Sequence, residues 1–267
     1  ETVMTGMAVG AAAAGWRVIC HMMFGNFLYT GFDSIANQAS KLRYMTAGQI
    51  SLPIVYMAVF GGGRSSAAQH SDAMHPILMN LGGIKVVTPG SPADAKGLLK
   101  SSIRDNNPVV FLQAAGRGGE SGEVPDGEHI IELGKALKIR EGDDITLVPI
   151  GSMVRPTKIA AEKLAEENIN AEIIDPRTLV PLDKDLIFKS LKKTGRLIII
   201  DEARDTCSAA SHISALCSET CFGFLKSPVM RVTVPDIAIP YSPPLEKAVI
   251  PSPEKIIDAV KNLFKRK

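Results

Sequence analysis

Apolar positions along this chain recur with two different periods. Pro53–Phe60 and Pro108–Leu112 are unbroken apolar runs of strand length, whereas Asp33–Thr46 carries Ile35, Ala39 and Leu42 at helical spacing and closes at Gly48. The opening stretch, ETVMTGMAVGAAAAG, is small and apolar on every side, which predicts a tightly packed helix stopping at Gly15, with Arg17–Phe24 as the next strand. A glycine-rich loop, Gly61–Arg64, runs on to His70, and a helix follows around Ala73–Leu81. Ile84–Val87 reads as a strand. Ser91-Pro92-Ala93-Asp94 opens a helix, because Ser91 can cap it and Pro92 suits the first turn. Short apolar strands separated by helices predict a mainly parallel sheet covered on both faces.

Ala114–Glu128, AAGRGGESGEVPDGE, breaks this rhythm: it is polar, rich in glycine and aperiodic. We therefore expect an α/β domain over residues 1–113, a linker over 114–130 and a second α/β domain over 131–267. In the second series the strands are Asp144–Ile150, Ala171–Ile174, Arg196–Ile200 and Val229–Val234. Its helices are Pro156–Glu167, Lys184–Lys193, Ser208–Leu225 and a last one from Pro253, capped by Ser252 and ending in the basic Lys265-Arg266-Lys267.

Composition narrows the class. With 267 residues the chain can bury two cores, and 45% hydrophobic with 22% charged residues describes a globular protein. A net charge of +2 gives no reason to expect nucleic acid or an acidic membrane as partner. No apolar run reaches the ~20 residues that span a bilayer. The start at Glu1, without a basic leader, argues against a signal peptide and predicts further chain upstream. Four cysteines, Cys20, Cys207, Cys217 and Cys221, form no secreted disulfide pattern, which points to a reducing compartment. On a helix over 208–225, Cys217 and Cys221 share a face while His212 points away, so these residues and Cys207 do not converge on a metal.

Candidate chemistry gathers near the start. Glu1 sets a carboxylate at the edge of an apolar helix, and the aromatic Phe27 lies just past the next strand, a pairing that suits a heteroaromatic ligand. His70 follows a glycine-rich loop among small residues, where an imidazole can reach a cleft and change charge near neutral pH. Each has a plainer role open to it: a helix-dipole acid, a core ring, a structural histidine. The chain holds no internal repeat, phosphate-loop or GxSxG motif.

The pattern E-x-x-x-x-G-x-A-V-G-A-A from Glu1, followed by Phe24-Gly25-Asn26-Phe27, resembles the beta subunits of thiamine-diphosphate-dependent 2-oxoacid and acetoin dehydrogenases. The likeness continues through Gly61–Ser71, Lys85–Pro89, Ala93–Leu99, Ile103–Val110, Asp175–Leu179, Pro181–Asp183 and Pro243–Glu246. It implies a pyrimidine-binding domain, incomplete at its N-terminus, followed by a transketolase C-terminal-like domain. Glu1 would then hydrogen-bond a ring nitrogen of the thiamine aminopyrimidine and so promote loss of the thiazolium C2 proton. Phe27 would stack on that ring. His70 would orient or protonate the substrate-derived intermediate, or assist acyl transfer to lipoamide. In some members a potassium ion is held, mostly by backbone oxygens, at the positions matching Ile54, Ser102, Ile103, Asp105 and Asn107.

The family's Gly-Asp-Gly motif for Mg2+ lies on the alpha subunit, and Pro125-Asp126-Gly127 here is a turn. The resemblance therefore implies an α2β2 heterotetramer, inactive without its alpha chain, that passes an acyl group to a lipoyl-bearing E2 acyltransferase. The compartment would be the cytoplasm in a prokaryote, or the mitochondrial matrix or a plastid in a eukaryote. The sequence departs from the family at His21, Asp72 and Gln113, where an acid, Gln and Glu are common, and at Ala115–Gly119, where an aromatic is usual. Asp201–Ser208 looks more like the acetoin-cleaving members. Acetoin cleavage, or a non-catalytic assembly subunit of the same fold, are the rival readings.

Overall fold

A computed structural model describes residues 1–115 and 121–265. Gly116–Glu120 of the expected linker, and Arg266 and Lys267 of the basic tail, lie outside the described residues. The first series comprises α1 (Thr2–Ala13), β1 (Val18–Phe24), α2 (Leu42–Met45), β2 (Ile54–Phe60), α3 (His75–Met79), β3 (Lys85–Val87), α4 (Pro92–Arg104) and β4 (Val109–Ala114). The second comprises β5 (Leu137–Arg140), β6 (Ile145–Pro149), α5 (Val154–Glu166), β7 (Ala171–Asp175), β8 (Thr178–Val180), α6 (Lys184–Thr194), β9 (Leu197–Arg204), α7 (Ala209–Cys221), β10 (Met230–Val234), α8 (Pro243–Val249) and α9 (Pro253–Lys265).

Two five-stranded sheets result, ordered β1-β2-β4-β3-β8 and β10-β9-β6-β7-β5. All pairings are parallel except those of β8 with β3 and β5 with β7, at the sheet edges. The apolar runs sit where both faces are covered: Ile54, Val55, Tyr56 and Phe60 of β2 and Val109–Leu112 of β4 are buried. Local caps behave as their residue types demand. Ser91 accepts from the Asp94 amide at 3.1 Å, Asp183 from Leu186 at 3.3 Å and Ser208 from Ser211 at 3.0 Å. Gly195 closes α6 at φ +74°.

Several elements depart from expectation. The helix over Asp33–Thr46 is broken into a π-turn, Ser34–Ala39, and the short α2. Ser40 bonds back to the Ala36 carbonyl at 2.7 Å and its amide reaches Ile35 at 3.0 Å, which widens that turn. α3 begins only at His75, with Pro76 in its first turn. β5, β8 and α8 were not foreseen. Most consequential is β8, which leaves the second series to complete the edge of the first sheet. Ile131 likewise packs against Gly97 of α4 and joins the cluster of Val55, Leu98, Val109 and Phe111. One apolar core runs through both series, from Ile54 and Leu112 to Val148, Ile199 and Ile213.

Candidate functional site at the strand ends

β1 and β2 are parallel neighbours, so the segments leaving their carboxyl ends emerge side by side. The first is a 3-10 turn, Gly25–Tyr29, which holds Phe27. Gly25 is needed there, because a Cβ would lie 2.9 Å from Met74. The second is the Gly61–His70 loop. Phe24, Phe27 and His70 meet edge to face, with centroids 4.8 Å apart for Phe24–His70, 5.6 Å for Phe27–His70 and 5.8 Å for Phe24–Phe27.

Glu1 enters from α1. Its carbonyl accepts from the Thr5 amide at 2.9 Å and hydroxyl at 2.8 Å, but its exposed carboxylate does not cap the helix. The same turn is tied to the segment after Phe27: Thr2 Oγ1 donates to the Thr30 carbonyl at 2.8 Å. At Gly31 an added Cβ would lie 2.6 Å from Thr5 and 3.1 Å from the Glu1 carbonyl oxygen. The structure thus gathers the first turn of α1, the Phe27 turn and the His70 loop at one edge.

The glycine-rich loop is held from the second half of the chain by two buried carboxylates. Glu246 accepts from the Gly63 and Ser65 amides at 2.8 and 2.9 Å, and Glu202 from the Gly62 amide at 3.3 Å and from Ser152 Oγ. Gly61 has φ +83°, and a Cβ there would lie 2.2 Å from Glu202 Oε2, so only glycine fits. Burial raises Glu202 to about 7, opposed by its bonds and by His75. His75 is fully buried, with Nε2 2.9 Å from Asp201 Oδ1. Burial works against the Asp201 charge, but His75 and the Ala203 and Ala210 amides hold its carboxyl below the ordinary range.

A second tie links the rings. Asn26 and Asp72 exchange two hydrogen bonds, Nδ2 to Oδ2 at 2.8 Å and the Asp72 amide to Oδ1 at 3.2 Å, and Arg204 Nη2 reaches Asp72 Oδ1 at 2.8 Å. Sequence reasoning noticed Asp72 only as a departure and did not foresee Glu202, Glu246, Asn26 or Arg204 in this role. The available signal was Asp201-Glu202 directly after the apolar run Leu197–Ile200, where a charge has to be buried and partnered.

The other expected residues lie elsewhere. Ser102–Arg104 ends α4 and Asp105–Asn107 lead on towards β4; Arg17 Nη1 donates to the Ile103 and Asp105 carbonyls at 2.9 Å each, and Ile54 starts β2 beside β4. Cys217 and Cys221 are buried on α7, and burial pushes Cys217 up to about 12. Exposed Cys207 and His212 line a separate groove with Ile77 and Leu179. Among the described residues no group of three or more His, Cys, Asp or Glu is placed to hold a metal. Nor is any helix among them long and apolar enough to cross a membrane.

Residues 1–115 match the transketolase pyrimidine binding domain and residues 134–256 the transketolase C-terminal domain. Over 99% of its length the chain is 44% identical to the acetoin:2,6-dichlorophenolindophenol oxidoreductase subunit beta of Bacillus subtilis, covering 77% of that protein. It is 41% identical over 98% to the pyruvate dehydrogenase E1 component subunit beta of Rickettsia bellii, and 39% over 98% to the 2-oxoisovalerate dehydrogenase subunit beta of Bacillus subtilis, covering 81% of each. The chain belongs to the transketolase-like dehydrogenase beta subunits. A solved structure titled split gene transketolase, inactive beta4 tetramer, superposes with a TM-score of 0.82 at 23% identity, covering 98% of this chain and 81% of that one, a likeness of fold. In this dehydrogenase beta-subunit fold the edge carrying Phe27 and His70 lies within the pyrimidine-binding match, and Glu202, Arg204 and Glu246 lie within the C-terminal-domain match.

Proposed function

We propose that this chain is the beta subunit of a thiamine-diphosphate-dependent 2-oxoacid dehydrogenase that works with an alpha subunit and passes an acyl group to a lipoyl-bearing partner. The observation that carries the reading is the gathering of Glu1, Phe27 and His70 at one strand edge. These residues suit an aminopyrimidine: an uncommitted carboxylate to accept a ring N–H, a part-exposed aromatic face, and an imidazole able to carry a proton. When bound, thiamine diphosphate supplies the carbon nucleophile. Glu1 holds the proton of the ring nitrogen, Phe27 orients the ring and keeps water from it, and His70 holds or moves a proton on the substrate side. We assign the diphosphate and its Mg2+ to the alpha subunit of an α2β2 assembly. A potassium ion at Ile54, Ser102, Ile103, Asp105 and Asn107 would have to displace Arg17, because a guanidinium bonded to the Ile103 and Asp105 carbonyls repels a second cation on the same oxygens.

Acetoin cleavage is the second reading, supported by 44% identity to acetoin oxidoreductase beta subunits of Bacillus subtilis and Cupriavidus necator. The test is co-purification with the alpha subunit, then thiamine-diphosphate- and Mg2+-dependent reduction of an artificial acceptor with pyruvate, branched-chain oxoacids and acetoin. Turnover that needs both chains and one oxoacid class supports the first reading, and turnover with acetoin alone the second. A stable tetramer that turns over none of them overturns both.

A further inference from the structure

Phe27 and His70 lie on two separate irregular segments, and their edge-to-face contact is worth only ~1 kcal/mol. Something else must fix their spacing. Asp72 is bonded through its amide, its carbonyl and both carboxylate oxygens: to Asn26 beside Phe27, to the Gly61 amide at 3.1 Å, and to Arg204. Arg204 is in turn anchored by Nε to the Ile237 carbonyl at 2.9 Å. The carboxylate is mostly buried, at 14% exposure, and the guanidinium is 40% exposed, so the pair is only partly screened by solvent.

We propose that Asp72, gripped by Arg204, is the positioning residue that sets the separation of Phe27 and His70, and that the carboxy-terminal half tunes the site through this one carboxylate. Asn26 is adjacent in sequence to Phe27, and Asp72 is two residues past His70, so a shift of either hydrogen bond moves a ring directly. Arg204 comes from the end of β9, so the tie spans the two sheets. Arg204 and Asn26 each donate one bond to a different carboxylate oxygen of Asp72, so a side-chain amide, with only one acceptor oxygen, can keep only one of the two.

The inference rests on reading Phe27 and His70 as the cofactor site, and the test separates the two. In the whole chain, the His70 ring protons, identified by their loss in His70→Asn, report the ring currents of Phe24 and Phe27 without any cofactor. Asp72→Asn and Arg204→Gln should each move those resonances toward random-coil positions at temperatures where the fold is intact by circular dichroism. In the assembled enzyme each should lower kcat roughly 10-fold or more with a smaller change in KM, since a misplacement near 1 Å costs on the order of 100-fold. The double variant should do no more damage than the worse single one, because both remove the same tie. Glu141→Gln, at an exposed side chain paired with Lys138 after β5, should change neither readout. Unmoved His70 resonances in both single variants, or additive losses in the double, overturn the proposal. Moved resonances with kcat unchanged uphold the positioning and instead refute the role of the rings in catalysis.

Discussion

The carboxyl edges of the two sheets carry similar residue types in opposite states. On the first, Glu1 is exposed and caps nothing, and the His70 ring packs edge to face on Phe24 and Phe27. On the second, Asp201, Glu202 and Glu246 are at most 7% exposed and accept bonds from His75, Ser152 and the amides of the glycine-rich loop. A carboxylate buried and bonded to several donors is fixed in place and shielded from a ligand, whereas one left open in water is available but adds little to stability. The first edge is therefore suited to chemistry and the second to holding it in place.

The largest effect should come from the open edge. Glu1→Gln should lower turnover of the assembled enzyme by roughly 100-fold or more while leaving the melting curve unchanged, a split that steady-state kinetics and calorimetry would read together. At the bonded edge the balance should invert. Glu246→Ala strips the acceptor from the Gly63 and Ser65 amides and should cost about 3 kcal/mol in urea unfolding, with activity falling only as far as the loop loosens. Glu202 gives a comparable signature in pH. Burial raises it from 4.5 to about 7, so the folded chain keeps a proton that the unfolded chain releases. The Glu202 contribution to stability should be full below about pH 4.5 and be lost as pH rises to 7, by about 3 kcal/mol, and Glu202→Gln should remove that decline. The smallest effect should come from Thr2→Val, which cuts the tie to Thr30: under about 1 kcal/mol in stability, with kcat falling only a few-fold.

How far these edges were legible in sequence follows from what kind of pattern each needs. β2 and β4 announced themselves as uninterrupted apolar runs, because strands buried on both faces need no polar positions. Glu1, Phe27 and His70 stood out through the resemblance of their motifs to the family, and the fold brings their segments together. β8 was not legible: it is three residues long, and its partner β3 is some ninety residues earlier in the chain. Its burial on the first sheet is a tertiary fact with no local period. Glu246 hid for a similar reason, since an acid after Pro243-Pro244 reads locally as a first-turn dipole partner. Its true partners are amides far away in sequence. The helix expected over Asp33–Thr46 failed because side-chain spacing alone does not reveal the Ser40 bond that widens the turn.

The origin of β8 also sets an order of events during synthesis. A ribosome delivers β1 to β4 first, but the outer edge of β3 stays without its neighbour until Val180 has emerged. Through that interval the nascent chain presents unpaired strand hydrogen-bonding groups to whatever is nearby, the situation in which chaperones or premature pairing with another chain intervene. Translation speed between residues 88 and 180 should accordingly govern the yield of correctly folded molecules more than speed anywhere later in the chain.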